Sequence, residues 1–196
     1  RNLVEPIRKL GDRCITMALT DNLLYYYKFQ GNSNDSVGSN NGSDTSITYS
    51  TGNGKIDQGA GFNGSTSQIA YSTSSSLSTA LTFSMWIKPT SVTTRQGVFA
   101  KTDGTGNSTT SWVVELTAAG KMSLNLSAGG SSVTVQSTSS ISAGVWTYVC
   151  CTWDGSTVTW YLNGSSDNTG AAILTINNIT QATILGQFGS YNLLPY

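Results

Sequence analysis

Trp146–Gly164 reads WTYVCCTWDGSTVTWYLNG, and this stretch decides the fold. Residues 146–153 are aromatic or β-branched around two cysteines. Asp154-Gly155 is a turn pair, and Val158, Trp160 and Leu162 then alternate with Thr157, Thr159 and Tyr161 before a second turn pair, Asn163-Gly164. The pattern predicts a β-hairpin of two aromatic-rich strands. Period-two alternation gives each strand one buried and one less buried face, and a lone hairpin is marginal in water, so a second sheet must pack against it.

The remainder of the 196 residues extends that reading. Strand candidates recur at 67–71, 81–88, 97–101, 111–116, 121–127 and 132–136, with 172–176 and 182–186 after the hairpin. Cys14–Leu19 is a short candidate and Leu23–Phe29, with three consecutive tyrosines, a stronger one. Residues 30–66 are rich in Gly, Asn, Asp, Ser and Thr, which tolerate turn conformations and bond to nearby backbone, so they form a long loop-rich edge. No helix-period segment exceeds two turns. The expected class is all-β, an antiparallel two-sheet sandwich in one domain over 20–196, preceded by an N-terminal arm or donor strand over 1–19. The arm holds Arg1, Arg8, Lys9 and Arg13, four of the ten basic residues.

Composition excludes several functions. Charged residues are 10% of the chain and balance to zero, which argues against a nucleic-acid partner that needs a basic patch. No apolar run reaches the ~18 residues of a membrane-crossing helix, and Arg1 opens a mixed polar segment rather than a cleavable signal, so the expected chain is mature and not membrane-inserted. The absence of histidine removes Ser-His and Cys-His activation. The only glutamates are Glu5, in the arm, and Glu115, in SWVVEL. Retaining glycoside hydrolysis needs two carboxyl groups about 5–5.5 Å apart, so the chain reads as no enzyme, with Glu115 an outward-facing strand residue.

The three cysteines are Cys14, Cys150 and Cys151. Adjacent strand residues point to opposite faces, so Cys150 and Cys151 have different surroundings and one faces the core. Two readings stand: small buried hydrophobes with a third thiol, or a disulfide from Cys14 to Cys150 or Cys151, within the chain or to a neighbour. The N-x-[ST] pattern marks Asn34, Asn41, Asn63, Asn107, Asn125, Asn163 and Asn178 as glycosylation candidates in a secreted eukaryotic chain, a mild excess over composition.

The order LLYYYKFQGNSNDSVGSNNGSD, GKIDQGAGFNGSTSQI, LTFSMWIKP, GVFAKTDG, GKMSLNLS, VWTYVCCTWDGSTVTWYLNG and ATILGQFG resembles the laminin-G-like jelly-roll domains of the concanavalin A-like lectin/glucanase superfamily, over roughly residues 23–189. The resemblance implies two antiparallel sheets packed face to face, secretion, and binding or adhesion more often than catalysis. It also implies a calcium ion near the loop-rich edge, with Asp35 and Asn63 at matching positions; the alternative is that both side chains only shape turns. Cys150 and Cys151 stand where relatives carry small residues. The closing strand of such modules has no counterpart before Tyr196.

A sandwich one strand short exposes unpaired backbone groups. The expected remedies are Cys14–Leu19 folding back in cis, the arm entering a neighbouring molecule, or a closing strand absent from this stretch of chain. Leu3, Val4, Ile7, Ile15, Met17 and Leu19 are the apolar residues of such a donor. Head-to-tail exchange would build an extracellular fibre or filament by self-association. The alternative function is a carbohydrate-binding or adhesion module of a larger secreted protein, with glycans as partners. Tyr25, Tyr27, Trp112, Tyr161 and Tyr191 are sugar-stacking candidates by alternation, weighed against ordinary core packing.

Overall fold

The structure is a computed structural model describing residues 23–72, 79–172 and 174–186. The arm, the candidate strand Cys14–Leu19, the donor residues, the Cys14 disulfide, Glu5 and Tyr191 lie outside the described residues.

Thirteen strands are described: β1 (Gly42–Thr45), β2 (Thr48–Ser50), β3 (Gly59–Gly61), β4 (Gln68–Tyr71), β5 (Leu81–Ile87), β6 (Gln96–Thr102), β7 (Thr110–Leu116), β8 (Lys121–Ala128), β9 (Ser131–Ser140), β10 (Thr147–Trp153), β11 (Thr157–Leu162), β12 (Ser165–Ala171) and β13 (Thr183–Leu185). They form a seven-stranded sheet ordered β1-β4-β13-β6-β7-β8-β9, a four-stranded sheet ordered β12-β11-β10-β5, and a short β2-β3 ribbon. The two main sheets make an all-β jelly-roll sandwich, and every pairing between these strands is antiparallel.

The hairpin forms as its pattern predicts. Cys151 pairs with Trp160 and Trp153 with Val158. Val149, Cys151, Trp153, Val158 and Trp160 enter one core cluster, together with Leu81, Phe83 and Ile87 of β5 and Val98, Trp112, Val114, Leu116, Met122, Leu124, Leu126 and Val135 of the larger sheet. Two indoles buried there still satisfy their N–H groups: Trp153 Nε1 donates to the Ala172 carbonyl at 2.9 Å and Trp160 Nε1 to the Val135 carbonyl at 3.0 Å. The second bond ties the hairpin to the opposite sheet. Both turns follow their sequence signals. Asp154 Oδ1 accepts the Ser156 and Thr157 N–H groups, while Asn163 and Gly164 both take positive φ, 51° and 84°, as a two-residue primed turn requires.

Leu23–Phe29 is not a strand. It makes a single bridge, Tyr27 to Asp35, because the Tyr26 N–H, a ladder donor in a strand, goes to Asp35 Oδ1 at 3.0 Å, and Phe29 turns away at φ 56°. Its apolar side chains still work: Tyr27 and Phe29 join Ile47 and Ala60 over a second cluster of Phe62, Ile69 and Tyr71. Ala172 and residues 174–176 are not strand either. They begin the crossover between the sheets, where the Ala172 N–H bonds the Ser156 carbonyl and Ile176 enters the core. In contrast, β12, sequence SSDNTGA, carries no apolar alternation, yet its backbone pairs along β11 as an edge strand.

Candidate functional site

The outward face of β5 and β10 carries an aromatic shelf. In β5, Leu81, Phe83 and Ile87 are buried, so Thr82, Ser84 and Trp86 project the other way. Trp86 lies opposite Tyr148 of β10. Their rings sit 5.4 Å apart, tilted by 52°, and Trp86 is 41% exposed. Two residues on, just past the strand ends, Lys88 places its Nζ 5.1 Å from the centre of the Trp146 ring. Lys55, from the loop after β2, places its Nζ 5.3 Å from the Trp86 ring. Lys88 Nζ also donates to the Gly52 carbonyl at 3.5 Å, linking that loop to β5. Ile56 and Val145, 74% and 52% exposed, extend the apolar surface.

A cleft of about 440 Å³ opens beside the β10 and β11 end of the shelf, with apolar lining from Ile141, Val145 and Leu162 and polar groups from Ser139, Asn163 and Asp167 among others. Asn163 joins the two surfaces: its N–H donates to the Tyr148 carbonyl at 2.8 Å and its Oδ1 accepts the Tyr148 N–H at 3.0 Å. Asp167 accepts the Thr138 and Ser139 N–H groups and ties β12 to β9. Burial raises its pKa, but the bonds from Ser139 and Thr138 and the charge of Lys121 outweigh this and hold the carboxyl below its ordinary value. Hydroxyl, amide and carboxylate groups beside the exposed Trp86 and the half-buried Tyr148 match the two demands of a sugar, hydrogen bonding at its edges and an apolar surface for its C–H face.

The residues singled out by sequence fall elsewhere. Trp112 is a core residue, 2% exposed and 4.4 Å from the Phe99 ring, because its inward position on β7 faces the other sheet. Tyr27 packs 4.3 Å from Tyr71, and Tyr25 stacks on Tyr27 at 6.3 Å. Tyr161 is half-buried on β11 opposite Cys150. Trp86, Trp146 and Tyr148 stand outside that set, although a tryptophan on the Thr82-Ser84-Trp86 polar face is itself a signal for a surface role. Cys151 is buried and Cys150 half-buried on the opposite face, as alternation requires, and neither is bonded to another cysteine among the described residues.

Asp35 and Asn63, the two residues at the positions expected for calcium, both accept nearby backbone N–H groups. Asp35 Oδ1 accepts the Tyr26 and Val37 N–H groups at 3.0 and 3.1 Å, and Oδ2 faces the Asn40 N–H at 3.4 Å. Asn63 Oδ1 accepts N–H groups from Ser65, Thr66 and Ser67. These bonds give both side chains a turn-shaping role. No cluster of three or more metal-ligating side chains occurs among the described residues. Burial pushes the Asp35 carboxyl up, and the backbone N–H groups of Tyr26, Val37, Gly38 and Asn40 bring it below the usual value.

The other candidates are placed as follows. Glu115 is 7% exposed on β7 and paired with Arg95, whose Nε lies 2.6 Å from Oε2. Asn34 and Asn178 are exposed. Asn41, Asn107 and Asn163 are exposed with one side-chain atom engaged: Asn41 Oδ1 by the Asp35 N–H, Asn107 Nδ2 by the Gly130 carbonyl, Asn163 Oδ1 by Tyr148. The nitrogens of Asn63 and Asn125 are bonded to Thr66 and Thr134.

A laminin-G-type family model, described as the concanavalin A-like lectin/glucanases superfamily, matches residues 62–190. The chain belongs to this superfamily. No curated protein sequence matches it. Among solved structures, this concanavalin A-like sandwich is similar to domain 4 of a GH43 extracellular arabinanase from Geobacillus stearothermophilus, in complex with arabinotriose. That match has TM-score 0.69 and 21% identity, over 88% of this chain and 86% of that one. The binding domain of botulinum neurotoxin DC, in complex with SialylT, gives TM-score 0.63 and 14% identity over 86% of this chain and 44% of its own. Domains LG4-5 of the mouse laminin alpha1 chain give 0.51 and 13% over 62% and 34%. At these identities the likeness is one of fold. No helix among the described residues is long and apolar enough to cross a membrane.

Proposed function

We propose that the protein is a non-catalytic carbohydrate-binding module acting outside the cell, with the shelf of Trp86, Tyr148 and Trp146 as its sugar platform and the adjoining cleft supplying polar contacts. The observation that carries this reading is Trp86, a ring held at the surface by its place on a rigid strand and by Tyr148 beside it. Support comes from the fold shared with an arabinanase domain complexed with arabinotriose and a neurotoxin domain complexed with SialylT. The extracellular arabinanase supports the location. A glycan array, followed by titration calorimetry on the best hits, tests it. Wild-type protein binds a consistent sugar motif, and Trp86→Ala weakens that binding roughly tenfold, about 1.4 kcal/mol, with an unchanged melting curve. A blank array, or binding indifferent to Trp86→Ala, overturns the assignment.

The β5 edge favours assembly as a second reading. Among the described residues β5 pairs only with β10, along all seven of its residues, while burying Leu81, Phe83 and Ile87. A regular edge of this length accepts an added strand readily, and the 3–19 segment of a neighbouring molecule, carrying Leu3, Val4, Ile7, Ile15, Met17 and Leu19, is the proposed donor. Light scattering on the full chain and on a chain lacking residues 1–19 tests it: long assemblies lost on deletion support exchange, and an identical monomer in both overturns it.

A further inference from the structure

The shelf is cationic as well as aromatic. Lys55 and Lys88 each lie over one of its tryptophans, and neither has a carboxylate partner among the described residues, where the one ion pair joins Arg95 to Glu115. Tyr148 lies opposite Trp86 in register, and Trp146 and Lys88 follow just past the ends of the same two strands. Successive outward positions on a strand lie roughly 7 Å apart, about the span of one sugar ring. A pyranose lying on Trp86 and Tyr148 therefore brings its ring substituents within reach of the Lys88 and Lys55 ammonium groups. In a chain with only ten basic residues, two cations with no carboxylate partner among the described residues meet at one end of one sheet face, which favours negative charge there.

We propose, resting on the carbohydrate-binding reading above, that this shelf selects glycans bearing a sugar carboxylate, a hexuronic or nonulosonic acid, with the pyranose face on Trp86 and the carboxylate between Lys55 and Lys88. The lysines supply charge and the rings supply surface, so each contribution can be removed separately.

The test uses the full chain with four probes: trigalacturonate, α-sialyllactose, and the methyl ester of each, which keeps the shape and removes the charge. Neutral arabino-, xylo- and galacto-oligosaccharides serve as further arms. The expected result is at least about tenfold tighter binding of one or both acids over their esters. The preference shrinks when salt rises from about 50 mM to about 500 mM, as expected for exposed charges. Lys55→Gln combined with Lys88→Gln removes the acid-over-ester preference while leaving the melting temperature unchanged, and Trp86→Ala weakens acid and ester alike. Which acid binds distinguishes a uronate polymer from a sialylated glycan. Equal affinity for acid and ester, or no binding of either acid, overturns the charge selection. If neutral sugars still bind, the carbohydrate-binding reading survives that failure; if nothing binds, both fall.

Discussion

At the scale of single residues, function and architecture are assigned by which way a side chain faces. Asp35 is largely withdrawn from solvent and accepts backbone N–H groups on both oxygens. Its folded-state pKa is depressed, so its contribution to stability is present above the ordinary aspartate value near 4 and is lost as pH falls through the lower folded value. Thermal melting between about pH 6 and pH 2.5 is expected to show this loss in the wild type and a flatter profile in Asp35→Asn. Because donor hydrogens surround both Asp35 and Asn63, adding calcium or a chelator is expected to leave the melting midpoint unmoved; a rise with calcium would show a site built from other oxygens. In the core, Trp160→Ala removes a fully buried indole and leaves the Val135 carbonyl without its donor. The expected cost is about 3–5 kcal/mol, read from denaturant unfolding.

At the scale of elements, what the sequence made legible was apolar alternation and paired turn residues. The hairpin β10–β11, the strands β5 to β8 and the start of β9 follow from both. What stayed hidden was pairing that needs no side chain. β12 is written in Ser, Asp, Asn, Thr and Gly and exists because the β11 backbone offers it a ladder. Leu23–Phe29 shows the converse, since an aromatic-rich segment loses its ladder once a buried carboxylate captures one of its N–H groups. The shelf was half legible: Trp86 could be placed on a polar face from LTFSMWIKP, but only the register brings it opposite Tyr148. The turn at Asn163-Gly164 gives the element-scale prediction. Gly164 holds φ 84° with open space around its Cα, so Gly164→Ala is expected to cost about 1 kcal/mol through backbone strain rather than a clash. Equilibrium unfolding would register it with no change in the folded-state circular dichroism.

For the whole molecule, the two main sheets share one core, while the β4 and β13 side of the larger sheet is covered by the loop-rich segment instead of a second sheet. Among the described residues, the outward face of the small sheet carries the exposed Trp86, and β5 pairs along one edge only. The sandwich also sorts the five tryptophans into two optical classes. Trp112, Trp153 and Trp160 are at most 2% exposed, whereas Trp86 and Trp146 stand on the shelf. Red-shifted, acrylamide-quenchable emission should thus arise from the shelf pair alone, and the protein carries its own unlabelled reporter for whatever settles there.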